Sequence, residues 1–104
     1  MKILIVEDDL VIAESLANEL KNWNYDVKLA KQFSHILDDF KSYLPDLVLL
    51  DINLPTLNGF HWCQEIRKIS NVPIIFISSR TDNMDQIMAI QMGGDDFIEK
   101  PFNL

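Results

Sequence analysis

Runs of consecutive apolar residues alternate along this chain with segments whose apolar positions recur every three or four residues. The first run, Lys2-Ile3-Leu4-Ile5-Val6, leads into Glu7-Asp8-Asp9. Ile12, Leu16, Leu20 and Trp23 follow at helical spacing, with Asp9 placed as an N-cap. Tyr25-Asp26-Val27-Lys28-Leu29 then alternates with period two, the pattern of an edge strand with one wet face. Phe33, Ile36, Leu37, Phe40 and Leu44 mark a second helix, closed by Pro45. Asp46-Leu47-Val48-Leu49-Leu50 runs directly into Asp51, and Asn58-Gly59 reads as a turn with a positive φ at Gly59. Trp62, Cys63, Ile66 and Ile69 define a third helix, and Pro73-Ile74-Ile75-Phe76-Ile77 a strand ending at Ser78-Ser79. The weakly patterned segment 84–92 stops at Gly93-Gly94, a helix C-cap, before the short strand Phe97-Ile98 and then Glu99-Lys100-Pro101. The order βαβαβαβαβ predicts an α/β fold with one parallel sheet, right-handed crossovers and helices on both faces. The first, third and fourth strands are almost wholly apolar, so they are expected at its centre.

In such a sheet ligands bind outside the carboxyl ends of the strands, where the connections diverge. Four strand ends would bring an acidic trio, Asp51, the Ser78 hydroxyl and the Lys100 ammonium to one crevice. That set suits a divalent cation and a phosphoryl group. Mg²⁺ takes oxygen ligands, keeps several waters and is usually held by one or two carboxylates plus a phosphate. Asp8 and Asp51 could ligate directly, Glu7 through water, and the Asn53 main-chain carbonyl could curl back as a third ligand. Each residue also has a plain structural reading. Glu7-Asp8-Asp9 can be a solvated turn that caps a helix, Ser78 a turn residue and Lys100 an ordinary surface lysine.

Composition narrows the partners. The 104 residues suffice for one domain, and 48% apolar with 24% charged residues is ordinary for a soluble globular protein. A formal net charge of −7 argues against gripping a nucleic-acid backbone through this chain. There is no basic amphipathic face for lipid, no apolar run of membrane-spanning length and no signal peptide, so a cytoplasmic location is expected. The single Cys63 cannot form an internal disulfide and reads as a small buried hydrophobe.

The chain resembles the receiver domain of two-component response regulators. The resemblance rests on Ile3-Leu4-Ile5-Val6-Glu7-Asp8-Asp9, on Asp51 with Leu54-Pro55 and Gly59, and on Pro73-Ile74-Ile75-Phe76-Ile77-Ser78-Ser79-Arg80. It continues through Gly93-Gly94-Asp95-Asp96-Phe97-Ile98-Glu99-Lys100-Pro101-Phe102. It implies a flavodoxin-like (CheY-like) five-stranded parallel sheet of order 2-1-3-4-5. It also implies that Asp51 accepts a phosphoryl group from a sensor histidine kinase, with Glu7 and Asp8 the acidic pair around Mg²⁺. Ser78 would be the switch hydroxyl, Phe97 the switch aromatic and Lys100 the lysine that meets the phosphoryl group. The C-terminal motif is most similar to the subfamily whose receiver precedes a winged-helix DNA-binding domain, so DNA would be bound by a domain absent from this chain. Gly59-Phe60-His61-Trp62-Cys63, Asn71-Val72-Pro73 and Met84-Asp85-Gln86 resemble regulators of antimicrobial-peptide and cell-envelope responses in low-GC Gram-positive bacteria. Three positions depart from the pattern. Asn58 stands for a usual Asp, Gly94 for a usual Ala that should loosen the entry to the last strand, and Gln86 and Met88 for Arg, which puts the usual charged dimer face in doubt.

On this reading the chain is not an enzyme towards other molecules; it catalyses only its own phosphorylation and dephosphorylation. Rival classes stay open. A phosphatase of the haloacid-dehalogenase type also uses an Asp nucleophile, a hydroxyl and a Lys, but normally carries its nucleophile on the first strand in an Asp-x-Asp motif, which Asn53 breaks here. A flavodoxin would need a phosphate loop where Glu7-Asp8-Asp9 would repel phosphate. A receiver-like module that only binds partners would not need the acids. Residues 1–104 are expected to be a receiver domain cut short before its fifth helix. The missing cover should leave an apolar strip on the order of several hundred Å² along the first and third strands, hidden by homodimerisation or other self-association.

Overall fold

The structure, a computed structural model, describes residues 1–78 and 83–99. Its elements are β1 (Lys2–Val6), α1 (Leu10–Asn22), β2 (Asp26–Leu29), α2 (Ile36–Tyr43), β3 (Leu47–Asp51), α3 (Gly59–Arg67), β4 (Ile74–Ser78), α4 (Asn83–Gln91) and β5 (Asp96–Glu99). The five strands form one sheet in the order β2-β1-β3-β4-β5, and every neighbouring pair is parallel. The expected strand order and central strands are therefore present.

Period-two geometry sends alternate residues of the central strands to opposite faces. Leu4, Val6, Val48, Leu50, Ile74 and Phe76 pack on one face against Ile36, Phe40, Trp62, Cys63, Ile66 and Ala89 of α2, α3 and α4. Ile3, Ile5, Leu49 and Ile77 pack on the other against Ala13, Leu16 and Ala17 of α1. The two faces thus share the strands but not the side chains. Because Ile3, Ile5, Leu49 and Ile77 are all buried, the wide apolar strip expected along β1 and β3 does not appear among the described residues. Exposed apolar side chains remain towards the β5 end, with Ile87 and Ile90 on α4 and, beside Ile77 on the α1 side of the sheet, Ile98 on β5.

Helix ends account for most departures from the sequence pattern. Trp23, Leu44 and Ile69 each continue an apolar stripe, yet they are 70, 69 and 53% exposed. In all three cases the backbone has already left the helix. Trp23 is the C-cap of α1, Leu44 closes α2 in the left-handed region at φ 53°, and Ile69 lies two residues beyond α3. Once the 3.6-residue rotation stops, an apolar residue no longer points along the stripe. Gly93 does end α4 with φ 100°, and its neighbour Gly94 donates its amide to the Ala89 carbonyl at 2.9 Å. Gly94 does not loosen the chain there: a Cβ would sit 2.6 Å from the Phe76 ring, so the glycine lets β4 and the turn pack in contact.

Candidate functional site

The strand registers bring the chemistry to one rim. Val6 is beside Leu50, Asp51 beside Ile77, and Ser78 beside Glu99. Glu7 therefore leaves β1 at the level where Asp51 ends β3. The three acids after β1 separate by task. Asp9 is the N-cap of α1, its Oδ1 accepting from the amides of Val11 at 3.0 Å and Ile12 at 3.3 Å. Glu7 turns inward, 3% exposed, and its Oε2 accepts from the Asp9 amide at 3.1 Å. Asp8 stays exposed. The plain reading of this trio as a capping turn holds for Asp9 alone.

Carboxylate oxygens of Glu7, Asp8 and Asp51 lie within 4.8 Å of one another. Asp51 is also 3% exposed, so two of the three acids are withdrawn from water. Close, desolvated carboxylates repel unless a cation offsets their charge. Three hard oxygen donors at this spacing fit Mg²⁺. Asn53 approaches the same group through its amide, which donates to Asp51 Oδ1 at 3.3 Å. This turn holds the Asn53 backbone at the carboxylate's edge, where its carbonyl was expected as a ligand.

Gly59 corrects one expectation. It is the first residue of α3 rather than a positive-φ turn residue, and Asn58 is the N-cap, its side-chain oxygen accepting from the His61 amide at 3.0 Å. A Cβ on Gly59 would collide with the Asp51 carbonyl oxygen and come within 3.0 Å of the Ile52 Cα. Glycine is needed because α3 begins directly against the backbone that carries Asp51. The Gly59 amide fastens this contact by donating to the Ile52 carbonyl at 2.9 Å. Between them, Thr56 holds φ 68°, an uncommon value for a β-branched residue, and its hydroxyl reaches the Phe33 carbonyl at 3.5 Å.

Ser78 is fully buried at the end of β4, one position past the residue that pairs with Asp51. Phe97 pairs with Phe76 and is half-buried against the core on the α2–α3–α4 face. Lys100 lies outside the described residues, as do Ser79, Arg80, Pro101 and Phe102.

The family profile of the response regulator receiver domain matches residues 3–104. The chain belongs to that family. This receiver is 57% identical over 103 residues to the transcriptional regulatory protein YvcP of Bacillus subtilis, covering 99% of this chain and 44% of YvcP. It is 45% identical over 102 residues to the response regulator GraR of Staphylococcus aureus, covering 98% of this chain and 46% of GraR. It therefore spans about half the length of these curated relatives. Among solved structures, the N-terminal domain of the nisin resistance regulator NsrR, a lantibiotic response regulator, superposes with a TM-score of 0.88 at 49% identity, covering 98% of this chain and 86% of that one. The BeF3-activated receiver domain of Klebsiella pneumoniae RstA gives 0.94 at 32% identity, covering 99% and 88%. A receiver domain of response regulators is a phosphorylation-activated switch, and among these relatives YvcP is a transcriptional regulatory protein.

Sequence reading missed one cluster, at the opposite end of the sheet. Arg67 closes α3 and bonds to two other segments, the connection into β4 and the turn between α4 and β5. An Arg after Ile66 and an Asp at position 95 carry no signal of that pairing in the sequence.

Proposed function

We propose that Asp51 is the phosphoacceptor of this receiver and that Glu7, Asp8, Asp51 and the Asn53 carbonyl hold Mg²⁺ beside it. The observation that carries this reading is the convergence of three carboxylates at the end of β3 and β1. An Asp51 oxygen attacks phosphorus in the phosphohistidine of a sensor kinase. The new O–P bond forms as the P–N bond breaks, and the imidazole nitrogen leaves with the electron pair. Bound Mg²⁺ would supply charge neutralisation for the phosphoryl oxygens. Asp51 is presented rigidly, because β3 pairs on both sides and Gly59 packs against its backbone. Ser78 offers a hydroxyl to the phosphoryl group, and Lys100 an ammonium. The chain acts on itself rather than on a released substrate.

The product adds nearly two negative charges and three acceptor oxygens at Asp51. Ser78 moves towards them, Phe97 fills the space it leaves, and the face formed by α4 and β5 changes. That face carries the exposed Ile87 and Ile90 of α4, so an apolar contact with a second copy replaces the charged one common in relatives. Likeness to transcriptional regulators and to a lantibiotic response regulator supports an output through DNA in the whole protein and a role in antimicrobial-peptide responses. Among the described residues no helix is long and apolar enough to cross a membrane; a cytoplasmic site of action accords with this.

Incubation with Mg²⁺ and acetyl phosphate is expected to add one hydroxylamine-labile phosphoryl group, lost in Asp51→Ala and slowed strongly by a chelator. A stable adduct on Ser78 or His61, or full labelling in chelator, would sink this assignment.

A further inference from the structure

We propose that Arg67 pins the C-terminal end of α4, so that the switch turns this helix about Gly93 rather than shifting it bodily. The proposal rests on the phosphorylation reading above. Arg67 is a positioning residue at the far end of the sheet from Asp51.

The last turn of an α-helix leaves carbonyls without helical partners, and a cation there also meets the negative end of the helix dipole. At α4 the Met88, Ile90 and Ala89 carbonyls accept the amides of Met92, Gly93 and Gly94, and side chains of α3 take the next two carbonyls, just beyond the helix. Arg67 Nε donates to the Gly93 carbonyl at 2.8 Å, and Cys63 Sγ to the Met92 carbonyl at 3.2 Å. Burial pushes the Cys63 thiol up to about 11, so it stays a protonated donor at neutral pH.

The same guanidinium is anchored on fixed structure. Nη1 donates to the Val72 carbonyl at 2.7 Å and the Ser70 carbonyl at 3.4 Å, both in the segment leading into β4. Nη2 meets Asp95 Oδ2 at 2.8 Å, and that oxygen also accepts the Ile74 amide at 2.8 Å. The Asp95 amide returns a bond to the Ile74 carbonyl at 2.8 Å. Shape adds to the bonding. The Arg67 side chain lies over Gly93, where a Cβ would come within 2.9 Å of its Cγ, and the Phe76 ring lies over Gly94. Residues 92–95 are therefore all held, Met92 by Cys63, Gly93 and Asp95 by Arg67, and Gly94 under Phe76, at one end of α4.

The force arrives at the other end. β4 finishes at Ser78 and the chain enters α4 at Asn83. Between the two ends, Ala89 is the fully buried residue among the described α4 side chains, while Ile87 and Ile90 face solvent. Nine residues of helix make a lever about 14 Å long. With Gly93 fixed, displacement grows along it towards Asn83, so Ile87 moves further than Ile90. The apolar face is re-aimed by rotation.

The test follows amide exchange and amide shifts residue by residue in this chain, before and after treatment with Mg²⁺ and acetyl phosphate, with uptake measured by mass. In wild type, changes should decline from Asn83 to Ile90, and exchange at residues 92–95 should stay within about twofold. In Arg67→Gln uptake should be unchanged, while exchange at residues 92–95 rises on the order of tenfold on phosphorylation. Gly93→Ala keeps the charge but displaces the Arg67 side chain, and should give the same spread. Failure of wild type to take up phosphoryl overturns the function and the pivot together. Uptake with changes already spread through residues 92–95 in wild type overturns the pivot alone. So does a variant that melts earlier yet keeps the wild-type gradient, because Arg67 would then only add stability.

Discussion

A single methyl group on Gly59 would occupy the space of the Asp51 carbonyl oxygen. Gly59→Ala must push α3 away from β3 or twist the strand end, and overpacking of this kind costs about 2 kcal/mol. The expected outcome is a lower urea midpoint together with slower phosphoryl uptake at Asp51, since the same backbone aims the carboxylate proposed as nucleophile. Loss of stability with an unchanged uptake rate would show that the strand end tolerates the shift. The acids themselves were legible from sequence, because Glu7, Asp8 and Asp51 stand where apolar runs stop and the register of parallel strands does the rest. Gly59 was singled out for the wrong reason. Asn-Gly is a turn signal at any position, whereas its need for glycine arises from two backbone segments that only the fold brings together. Arg67 was silent for a related reason: its partners are mostly carbonyl oxygens, which every residue has.

At the scale of elements, strand and helix order follow from periodicity, but helix ends do not. Trp23, Leu44 and Ile69 extend their stripes by one step in sequence and leave them in space, because a cap changes the backbone direction without changing residue type. Asp9 shows the opposite case, where the cap was legible and separates two roles within one acidic trio. Asp9→Ala should destabilise the chain by about 1 kcal/mol by freeing two amides at the start of α1. Asp9→Asn should keep the cap, the melting temperature and the Mg²⁺ dependence of uptake. Thermal melts with Mg²⁺ titrations distinguish these. If Asp9→Asn weakened the response to Mg²⁺ as strongly as Asp8→Asn, all three acids would serve the cation.

Over the whole molecule, the apolar runs identify the inner strands, while the order 2-1-3-4-5 came from family resemblance, since periodicity alone does not say which strands are neighbours. The outer strand β2 lies next to Tyr43, whose phenol is pushed up to about 12 by burial and by the Asp26 and Asp46 carboxylates. A raised folded value means that folding favours the neutral phenol. Its contribution is complete below pH 10 and is lost as pH rises from 10 towards 12. Tyr43→Phe should therefore flatten part of the stability loss over that range, read by urea melts at several alkaline pH values; equal slopes in both proteins would place the phenol's ionisation outside the folding balance. The position of β1 has another consequence. Ile3 pairs with Val27 on one side and Leu47 on the other, so β1 leaves a ribosome before either of its partners is made. Its second edge stays open until β3 has been synthesised, and long-range parallel pairing forms slowly. During that interval Ile3-Leu4-Ile5-Val6 is a bare apolar edge, the kind of segment that chaperones bind and that aggregates when synthesis outpaces folding.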